Sequence, residues 1–211
     1  MKPSPPGKVR EMYEASADTY AEMMNAEIDL PVYADILGRL SERIADTPGT
    51  MIDTSCGSGH MLSRYHECYD QSRPLLGIDL SPRMVTIAGH RLGSAGSVVV
   101  GDMRDLGTVD TGSAVAVLSF FAVHHLDPHG VNVALGEWHR VLRPGGQLVM
   151  AVWEGAGAID YGDESDIVAL RYGSDEISSW TRAAGFIVAR CVTVPVEGFP
   201  MDAIFLEGGK I

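Results

Sequence analysis

The ten residues from Met51 to His60, reading Met-Ile-Asp-Thr-Ser-Cys-Gly-Ser-Gly-His, place reactive side chains beside two glycines. Such a set could form a nucleophilic centre, a metal site or a turn that binds a ligand through its backbone. Gly57 and Gly59 favour the turn, because neither carries a Cβ atom that would keep a ligand away. No partner base accompanies Cys56, which we interpret as a small packed residue. We interpret His60 as a solvent-edge or packing residue.

Three aspartates stand at the ends of successive predicted strands: Asp53, Asp79 and Asp102. In an open parallel sheet, ligands bind where the carboxyl ends of strands meet helix N-termini. A carboxylate at Asp79, 26 residues after Asp53, suits a ribose because it can accept hydrogen bonds from both hydroxyls. Asp102 could accept a hydrogen bond from the amino group of adenine. Together the acids predict an adenosine pocket.

Two common nucleotide-binding signatures are absent from this loop. The dinucleotide form GxGxxG would need a glycine at position 62, which is Leu62. The phosphate-binding P-loop would need a Gly-Lys-Ser or Gly-Lys-Thr sequence, and none follows. The missing third glycine disfavours a nucleotide-dependent oxidoreductase on a related sheet.

The elements that must position these residues alternate between short apolar runs and helical patterns. The predicted strands are Thr50–Asp53, Pro74–Asp79, Ser97–Asp102, Ser113–Phe121, Gln147–Trp153, Phe186–Val196 and Phe199–Leu206. The alternation predicts a parallel sheet with helices on both faces. The short connection between the last two strands predicts an antiparallel hairpin at the sheet edge.

Helix signals separate and precede these strands. Ser81 and Pro82 are typical of a helix start, and the sequence Arg-Pro-Gly-Gly at 143–146 indicates a helix end. Ser174 is predicted to cap a late helix. Two further helices, over 9–25 and 31–44, precede the first strand, and we interpret residues 1–8 as a flexible tail.

Length and composition limit the classes of function. A chain of 211 residues suits one domain, and no apolar run approaches the roughly 20 residues of a membrane span. A net charge of −12 argues against nucleic acid as a partner. Cys56, Cys68 and Cys191 form no CxxC pair, which argues against disulfides and thiolate metal sites. We expect a cytoplasmic protein without a signal peptide; the sequence leaves its oligomeric state open, a homodimer included.

Five ordered motifs give the chain a family resemblance. They are Ile52–Gly59, Gly77–Pro82, Gly101–Leu106, Leu118–Leu126 and Val141–Gly146. With the helix around Tyr13 and Tyr20, they resemble the class I S-adenosylmethionine-dependent methyltransferases of the small-molecule type. The resemblance covers residues 9 to 153. It implies an α/β fold, with a doubly wound, seven-stranded, mostly parallel sheet and one antiparallel strand near its edge.

The resemblance also implies roles for individual residues. Asp53 would lie near the methionine end of the cofactor, Asp79 would bind the ribose, and Asp102 would read adenine. The remaining implied cofactor residues are Tyr13, Tyr20, Ser55, Gly57, Gly59, Leu80, Met84, Met103 and Ser119. The family usually has glycine where this chain has Ser55, whose hydroxyl could itself bind the carboxylate or amine of the cofactor.

The histidines after the fourth predicted strand are candidates for catalysis. Histidine takes a proton near neutral pH, so His124 or His125 could be a general base or could orient the acceptor. Alternatively, one of them only hydrogen-bonds the backbone at the strand end. A metal site with His129 and Asp127 is disfavoured, because Pro128 interrupts any shared helical face. We expect no metal.

The segment 154–173 is the predicted lid loop on the acceptor side. Its acids could attract a cationic acceptor or could form a solvated loop; they are Glu154, Asp160, Asp163, Glu164 and Asp166. Trp153, Tyr161 and Tyr172 are predicted to line an aromatic acceptor pocket. The single domain over 9–211 would then comprise cap helices (9–47), a cofactor-binding core (48–153), this lid loop, and a C-terminal helix and hairpin (174–211).

The function that the resemblance implies is methyl transfer from S-adenosyl-L-methionine to an N, O or C atom of a small acceptor. The acceptor would be a metabolite or a natural-product intermediate, and S-adenosyl-L-homocysteine would be the second product. Two alternatives stay open at this point: the oxidoreductase considered above, and a protein that binds S-adenosylmethionine without catalysis.

Overall fold

The computed structural model describes residues 1–162, 165–196, 198 and 200–211. Within these residues the strands are β1 (Thr50–Asp53), β2 (Leu75–Asp79), β3 (Gly96–Val100), β4 (Ala114–Phe120), β5 (Leu142–Trp153), β6 (Phe186–Pro195) and β7 (Asp202–Lys210). The α-helices are α1 (Pro6–Glu27), α2 (Pro31–Ile44), α3 (His60–Cys68), α4 (Pro82–Leu92), α5 (Pro128–Val141) and α6 (Ser174–Ala183). None of the described helices has the length and apolar character of a membrane span.

The strands form one sheet in the order β3-β2-β1-β4-β5-β7-β6. Strands β1 to β5 pair in parallel, and β7 lies antiparallel to both β5 and β6. The predicted α/β fold, with a seven-stranded and mostly parallel sheet, is confirmed. The strand order reverses between β1 and β4, and a crevice opens outside the carboxyl ends of strands at such a reversal.

Two apolar clusters cover the faces of this sheet. Successive residues of a strand point to opposite faces, and Met51 and Ile52 of β1 belong to different clusters. The first cluster includes Tyr65 of α3, and the second includes Trp138 of α5. Every residue of β4 is buried, as its uniformly apolar sequence predicts for a strand covered on both faces.

Several element boundaries differ from the prediction. Strand β5 begins at Leu142 and contains residues 143–146, which were expected only to end the preceding helix; a register shift between β4 and β5 accommodates them. Ser174 does not cap α6. It lies inside the helix, and the Glu176 carboxylate accepts a hydrogen bond from the Gly173 N–H at 3.0 Å. Strand β7 begins at Asp202, and the predicted start at Phe199 lies outside the described residues.

The N-terminus is attached to the rest of the chain within the range predicted as a tail. Helix α1 begins at Pro6, and proline is well suited to a first helical turn. Ser4 is buried: its N–H donates to the Val168 carbonyl at 2.8 Å, and its Oγ accepts from the Val168 N–H at 2.9 Å. The partner is distant in sequence, so local patterns carry no sign of it. The other predicted boundaries of the domain's parts remain predictions.

Candidate functional site

A cavity of about 720 Å³, its open mouth included, lies at the carboxyl ends of β1, β2 and β4, beneath helix α1. The structure brings ten of the predicted site residues to its lining. They are Tyr13, Tyr20, Ser55, Gly57, Asp79, Leu80, Met84, Asp102, Met103 and His125. Because the strand order reverses between β1 and β4, the loops that carry these residues diverge and leave room for a ligand.

Asp79 connects the loop after β1 with the loop after β2, and these two loops form the rim of the cavity. Its Oδ2 accepts a hydrogen bond from the Gly57 N–H, and its Oδ1 accepts one from the Ser81 N–H, each at 2.9 Å. Ser81 caps α4 as predicted, since its Oγ accepts from the Met84 N–H at 3.2 Å. Each carboxylate oxygen has further lone pairs, so Asp79 can also accept hydrogen bonds from ligand hydroxyls.

Two carboxylates, the buried Asp53 and the half-buried Asp79, lie close together without a cation. Burial raises the pKa of Asp53 to about 7, against the effect of the Ser55 N–H that donates to it, and the negative charge of Asp79 adds to the rise. Burial also raises the pKa of Asp79. No Lys, Arg or His side chain pairs with either aspartate in the described part of the chain. Buried charge of one sign is costly without a partner, so the site is suited to a ligand that carries positive charge.

The two glycines of the rim have different tasks. Gly57 (φ +51°) lies in the cavity lining, and a Cβ atom there would come within 3.3 Å of the Tyr20 ring. Gly59 (φ +79°) precedes α3, and a Cβ atom there would lie 3.0 Å from Cβ of Ala88. Gly59 is not part of the lining. The lack of a Cβ atom lets α3 pack closely against α4, and the predicted cofactor contact of Gly59 remains a prediction.

Asp102 is already engaged by a neighbour that the sequence analysis missed. Its Oδ1 accepts hydrogen bonds from the backbone N–H and Nε of Arg104, both at 2.9 Å, and its Oδ2 accepts from the guanidinium. Burial acts to raise the pKa of Asp102, but the hydrogen bonds from Arg104 outweigh it and hold the pKa below its usual value. Any adenine amino group must therefore share this carboxylate with Arg104.

Ser55 and Ser119 contact each other. Their Oγ atoms are 3.3 Å apart, and Ser119 is fully buried outside the lining of the cavity. The hydroxyl of Ser55 is thus directed towards the end of β4. Cys56 is buried, and burial raises the pKa of its thiol well above the usual value. A protonated thiol packed close to Gly77 agrees with our interpretation of Cys56 as a packed residue.

His125 is paired with a residue of helix α1. Its Nε2 lies 2.9 Å from the hydroxyl of Tyr13, and the two rings meet edge to face. Burial lowers the pKa of His125 to about 4 and raises that of Tyr13 well above its ordinary value. At neutral pH the imidazole is therefore neutral and can accept the Tyr13 hydroxyl hydrogen. The sequence analysis assigned Tyr13 to cofactor binding and His125 to catalysis, and in the structure the two form one hydrogen-bonded pair.

The structure places His124 behind His125, outside the lining of the cavity. It is buried, the ring centroids of the two histidines are 4.1 Å apart, and its carbonyl accepts a hydrogen bond from the Leu170 N–H. The base or orienting role proposed for the pair can therefore fall directly only to His125. His129 is exposed on α5. Outside residues 163, 164, 197 and 199, no group of three His, Cys, Asp or Glu is arranged to hold a metal.

Two of the predicted acceptor residues belong to the core instead. Trp153 stacks on Phe121 with centroids 4.4 Å apart, and the Tyr172 hydroxyl donates to the Leu126 carbonyl at 2.5 Å. Neither side chain lines the cavity. The reason is tertiary: the chain before α6 pairs with residues 124 and 153–159, which draws Tyr172 inwards.

The remaining acceptor-side predictions are not among the residues that line the cavity. Tyr161 is 40% exposed and is not part of it. The same is true of the acids Glu154, Asp160 and Asp166. Asp163 and Glu164 lie outside the described residues. The described acids of this segment therefore give no support to a site for a cationic acceptor.

Several lining residues were missed by the sequence analysis. They are Pro6, Val9, Thr54, Arg104, Phe120, Phe121, Ala122 and Leu126. Phe121 has φ +48°, and it is the only non-glycine residue with positive φ in the described part of the chain. A bulky residue in this conformation is strained, and such strain is concentrated at functional sites. The one sequence signal for Phe121 is the apolar run of the strand that ends just before it.

A second, smaller space continues inwards from the cavity. This inner chamber is narrow and shares Tyr20, Ser55, Phe120 and Phe121 with the cavity. Asp53 and His60 are also part of its lining. His60 is only 7% exposed, which agrees with the packing residue of our two interpretations and not with the solvent-edge one.

Comparison with known proteins identifies a domain family. Residues 52–150 match the family of the methyltransferase domain. The malonyl-[acyl-carrier protein] O-methyltransferase of Dechloromonas aromatica (strain RCB) is 30% identical over 145 residues, which are 68% of this chain and 50% of that protein. This chain thus spans about half the length of that curated relative.

Solved structures share the fold at low identity. The Burkholderia thailandensis 1,6-didemethyltoxoflavin-N1-methyltransferase, solved with 1,6-didemethyltoxoflavin and S-adenosylhomocysteine, has a TM-score of 0.76 and 19% identity over 98% of this chain and 91% of that one. The [4+2]-cyclase SpnF has a TM-score of 0.78 and 15% identity over 100% of this chain and 97% of that one. At such identities the likeness concerns the fold alone.

Proposed function

The chain carries a methyltransferase domain of the class I, S-adenosylmethionine-dependent family, and from this premise we propose that the protein transfers the methyl group of S-adenosylmethionine to a small-molecule acceptor. One observation carries the proposal. The cavity is lined by a hydrogen-bonding carboxylate that suits a ribose, Asp79, and the adjoining inner chamber is lined by the buried carboxylate of Asp53; neither is neutralised by a described cationic side chain. The donor carries a sulfonium and an ammonium group, so its charge complements this pair.

The described residues fit the donor as follows. Asp79 would accept hydrogen bonds from the ribose hydroxyls, while Leu80 and Met84 would pack on the adenine. The Met103 N–H and Asp102 would read the adenine edge, with Asp102 held in place by Arg104. When bound, S-adenosylmethionine supplies an electrophilic methyl group, so the chain has mainly to align the two reactants and to exclude water.

The opposite side of the cavity is suited to an apolar or aromatic acceptor. Its lining there is mostly apolar and aromatic, with His125 and Tyr13 as the polar groups. Nε2 of the neutral His125 already faces the Tyr13 hydroxyl, so a proton from an acceptor hydroxyl or weakly acidic N–H would reach it through that hydroxyl, and its lowered pKa makes it a weak base. An N or O atom of a planar small molecule is therefore the nucleophile that this wall supports best. The B. thailandensis neighbour is named as an N1-methyltransferase of the small molecule 1,6-didemethyltoxoflavin.

We extend the proposal to the setting of the reaction. The net charge of −12 and the absence of a membrane-spanning helix among the described residues support a protein that binds neither nucleic acid nor membrane. The described cysteines are free thiols, which supports a reducing cytoplasm. The transfer as proposed needs no metal.

Thermal-shift titration tests the binding part of the proposal. Saturating S-adenosylhomocysteine should raise the melting temperature, because a ligand that binds only the folded state stabilises it. NAD at the same concentration should leave the melting temperature unchanged. Stabilisation by NAD and not by S-adenosylhomocysteine would instead indicate the oxidoreductase.

A screen of acceptors with isotopically labelled S-adenosylmethionine tests catalysis. The expected product carries the labelled methyl group, and mass spectrometry identifies the atom that receives it. The cyclase SpnF indicates a further readout, because a fold of this kind also hosts a reaction named as a cyclisation. Donor binding together with a rearranged acceptor of unchanged mass would contradict methyl transfer, and donor binding without any reaction would favour the non-catalytic alternative.

A further inference from the structure

The two edges of the sheet are built differently. Strand β6 carries features that keep an open edge from pairing with another chain: a register shift between Val188 and Arg190, the charge of Arg190, and Pro195 at its end. Strand β3, at the other edge, pairs with β2 along its whole length without a register shift. Its sequence, Gly-Ser-Val-Val-Val over Gly96–Val100, contains no charged residue and no proline. The edge at β3 is therefore left open to pairing.

The backbone groups on the outer side of β3 have no partner strand. The Gly101 N–H donates to the Asp79 carbonyl of β2 at 2.9 Å, so this N–H is directed towards β2. Backbone groups alternate in direction from one residue of a strand to the next, so those of Val98 and Val100 are directed away from β2. Strand β3 is the last strand on this side, and no further strand of the described residues pairs with it there. Val98 and Val100 thus offer two N–H groups and two carbonyl groups to a further strand.

The side chains of this edge are apolar and exposed. Val99 is 41% exposed and Val100 is 55% exposed, and successive residues of a strand point to opposite faces. Both faces of the sheet therefore end in an exposed valine at β3. No residue from 92 to 101 is charged, although the chain as a whole has a net charge of −12. The edge combines unpaired backbone groups with an apolar, neutral surface.

Charge and symmetry indicate what this edge binds. A strongly acidic or basic segment of another protein would find no opposite charge on β3, so the complementary partner is a neutral, apolar strand. A second copy of β3 is such a strand. Antiparallel pairing about a two-fold axis places the same neutral patch on itself, so no like charges come opposite one another although both copies are acidic. Valines of the two copies would pack across the ladder, where β-branched side chains fit well.

We propose that two copies of this chain associate through their β3 strands, paired antiparallel, so that one continuous sheet runs through the dimer. The interface lies outside the cavity, whose lining contains no residue of β3. The dimer is independent of methyl transfer: a monomeric enzyme would refute the dimer and leave the proposed function intact.

Sedimentation velocity of the full chain over a concentration series tests the dimer. The fraction of dimer should rise with concentration in the wild type, because association follows mass action. In Val100→Pro the outward N–H is lost while the hydrogen bonds to β2 remain, and an edge strand tolerates proline at such a position. The two-fold axis repeats the loss in both copies, so the dissociation constant should rise at least about 10-fold. Val100→Thr keeps the N–H and the branched side chain and should dimerise like the wild type.

A variant at the other edge controls for the location of the interface. Ile187→Lys adds a charge at an exposed position of β6 and should leave the dimer unchanged. If Val100→Pro does not fold, as judged by its circular dichroism and melting temperature, Val100→Asp takes its place. The half-exposed position tolerates a polar group, and the two added carboxylates would repel one another across the interface.

Amide hydrogen exchange locates the contact directly. Exchange at Val98 and Val100 should slow as the dimer forms, because their outward N–H groups become hydrogen-bonded. A wild type that stays monomeric at every concentration would overturn the proposal. A dimer that Val100→Pro leaves intact, or that only Ile187→Lys disrupts, would overturn it as well.

Discussion

The two sides of the cavity are built in different ways. On the rim at β1 and β2, each aspartate accepts hydrogen bonds from backbone N–H groups of its own loop or of the adjacent loop, as Asp79 does from Gly57 and Ser81. The opposite wall depends on contacts between distant parts of the chain. Tyr13 and His125 are 112 residues apart, and Ser4 and Val168 are 164 residues apart.

This difference separates donor binding, which is the same in every reaction cycle, from acceptor binding and catalysis, which depend on the particular acceptor. The rim presents carboxylates and a backbone turn, which suit a donor of constant structure. The wall presents rings and apolar groups whose arrangement depends on how α1 and the segment before α6 dock. Substitutions on the rim should therefore change donor binding, and substitutions on the wall should change the reaction or the stability.

The largest effect is expected at Asp79. Asp79→Ala removes the acceptor for the ribose hydroxyls and the link between the two rim loops, so affinity for S-adenosylhomocysteine should fall about 1000-fold, as for two or more lost charge-assisted hydrogen bonds. Calorimetric titration measures the change. Asp46→Ala, at an exposed carboxylate outside the lining, is the matched control and should bind like wild type. Unchanged affinity of Asp79→Ala would show that the donor binds elsewhere.

His125 tests the wall. His125→Phe removes the group that can take a proton, so the rate of methyl transfer to a hydroxyl or N–H acceptor should fall about 100-fold. Affinity for S-adenosylhomocysteine should remain within about threefold of wild type, since His125 makes no donor contact in this proposal. The rate is measured with the acceptor from the screen. A loss of donor affinity as large as the loss of rate would break the distinction between the two sides.

Asp53 should show how the rim depends on pH. Its pKa of about 7 in the folded protein exceeds that of an exposed carboxyl, about 3.9, so the ionised form lowers the stability of the ligand-free protein increasingly from pH 4 to pH 7. Asp53→Asn should therefore raise the melting temperature of the ligand-free protein more at pH 8 than at pH 5. An equal gain at both pH values would contradict the buried charge.

The same substitution should have the opposite effect on binding. A bound ammonium favours the ionised Asp53, so wild-type affinity for S-adenosylhomocysteine should decrease by up to about tenfold per pH unit below pH 7. In Asp53→Asn this dependence should flatten, and affinity at pH 8 should be about tenfold weaker than in wild type. Asp46→Asn is the control in both measurements. A pH profile of unchanged slope in Asp53→Asn would assign the titration to another group.

The smallest effect is expected at Tyr172, which the structure assigns to the core. Tyr172→Phe removes the hydroxyl that donates to the Leu126 carbonyl and should cost about 1 kcal/mol of unfolding free energy, or about 2–4 °C in melting temperature. Donor affinity and acceptor selectivity should not change. Tyr161→Phe, at an exposed ring, should leave the stability unchanged. A change of acceptor selectivity in Tyr172→Phe would restore its predicted role as an acceptor residue.

The rim and the strands could be predicted because their signals are local. Asp53 at a strand end, followed by Gly57, indicates a ligand-binding turn within a few residues. Ser81 and Pro82 indicate a helix start in the same way. Predictions failed where a partner was distant. Arg104 was overlooked although it is close to Asp102 in sequence, because nothing in the pattern indicates which way its side chain turns.

The sequence by itself determined the fold class, the order of the strands' acids and the glycine turn, since apolar periodicity and turn-forming residues act over short ranges. Tertiary structure alone decided which side chains line the cavity and the inner chamber. Packing before α6 moved Trp153 and Tyr172 into the core, and the start of α3 placed His60 in the inner chamber. Such choices depend on contacts between segments that are distant in sequence, as Tyr172 and Leu126 are at 46 residues apart, and a local pattern does not indicate them.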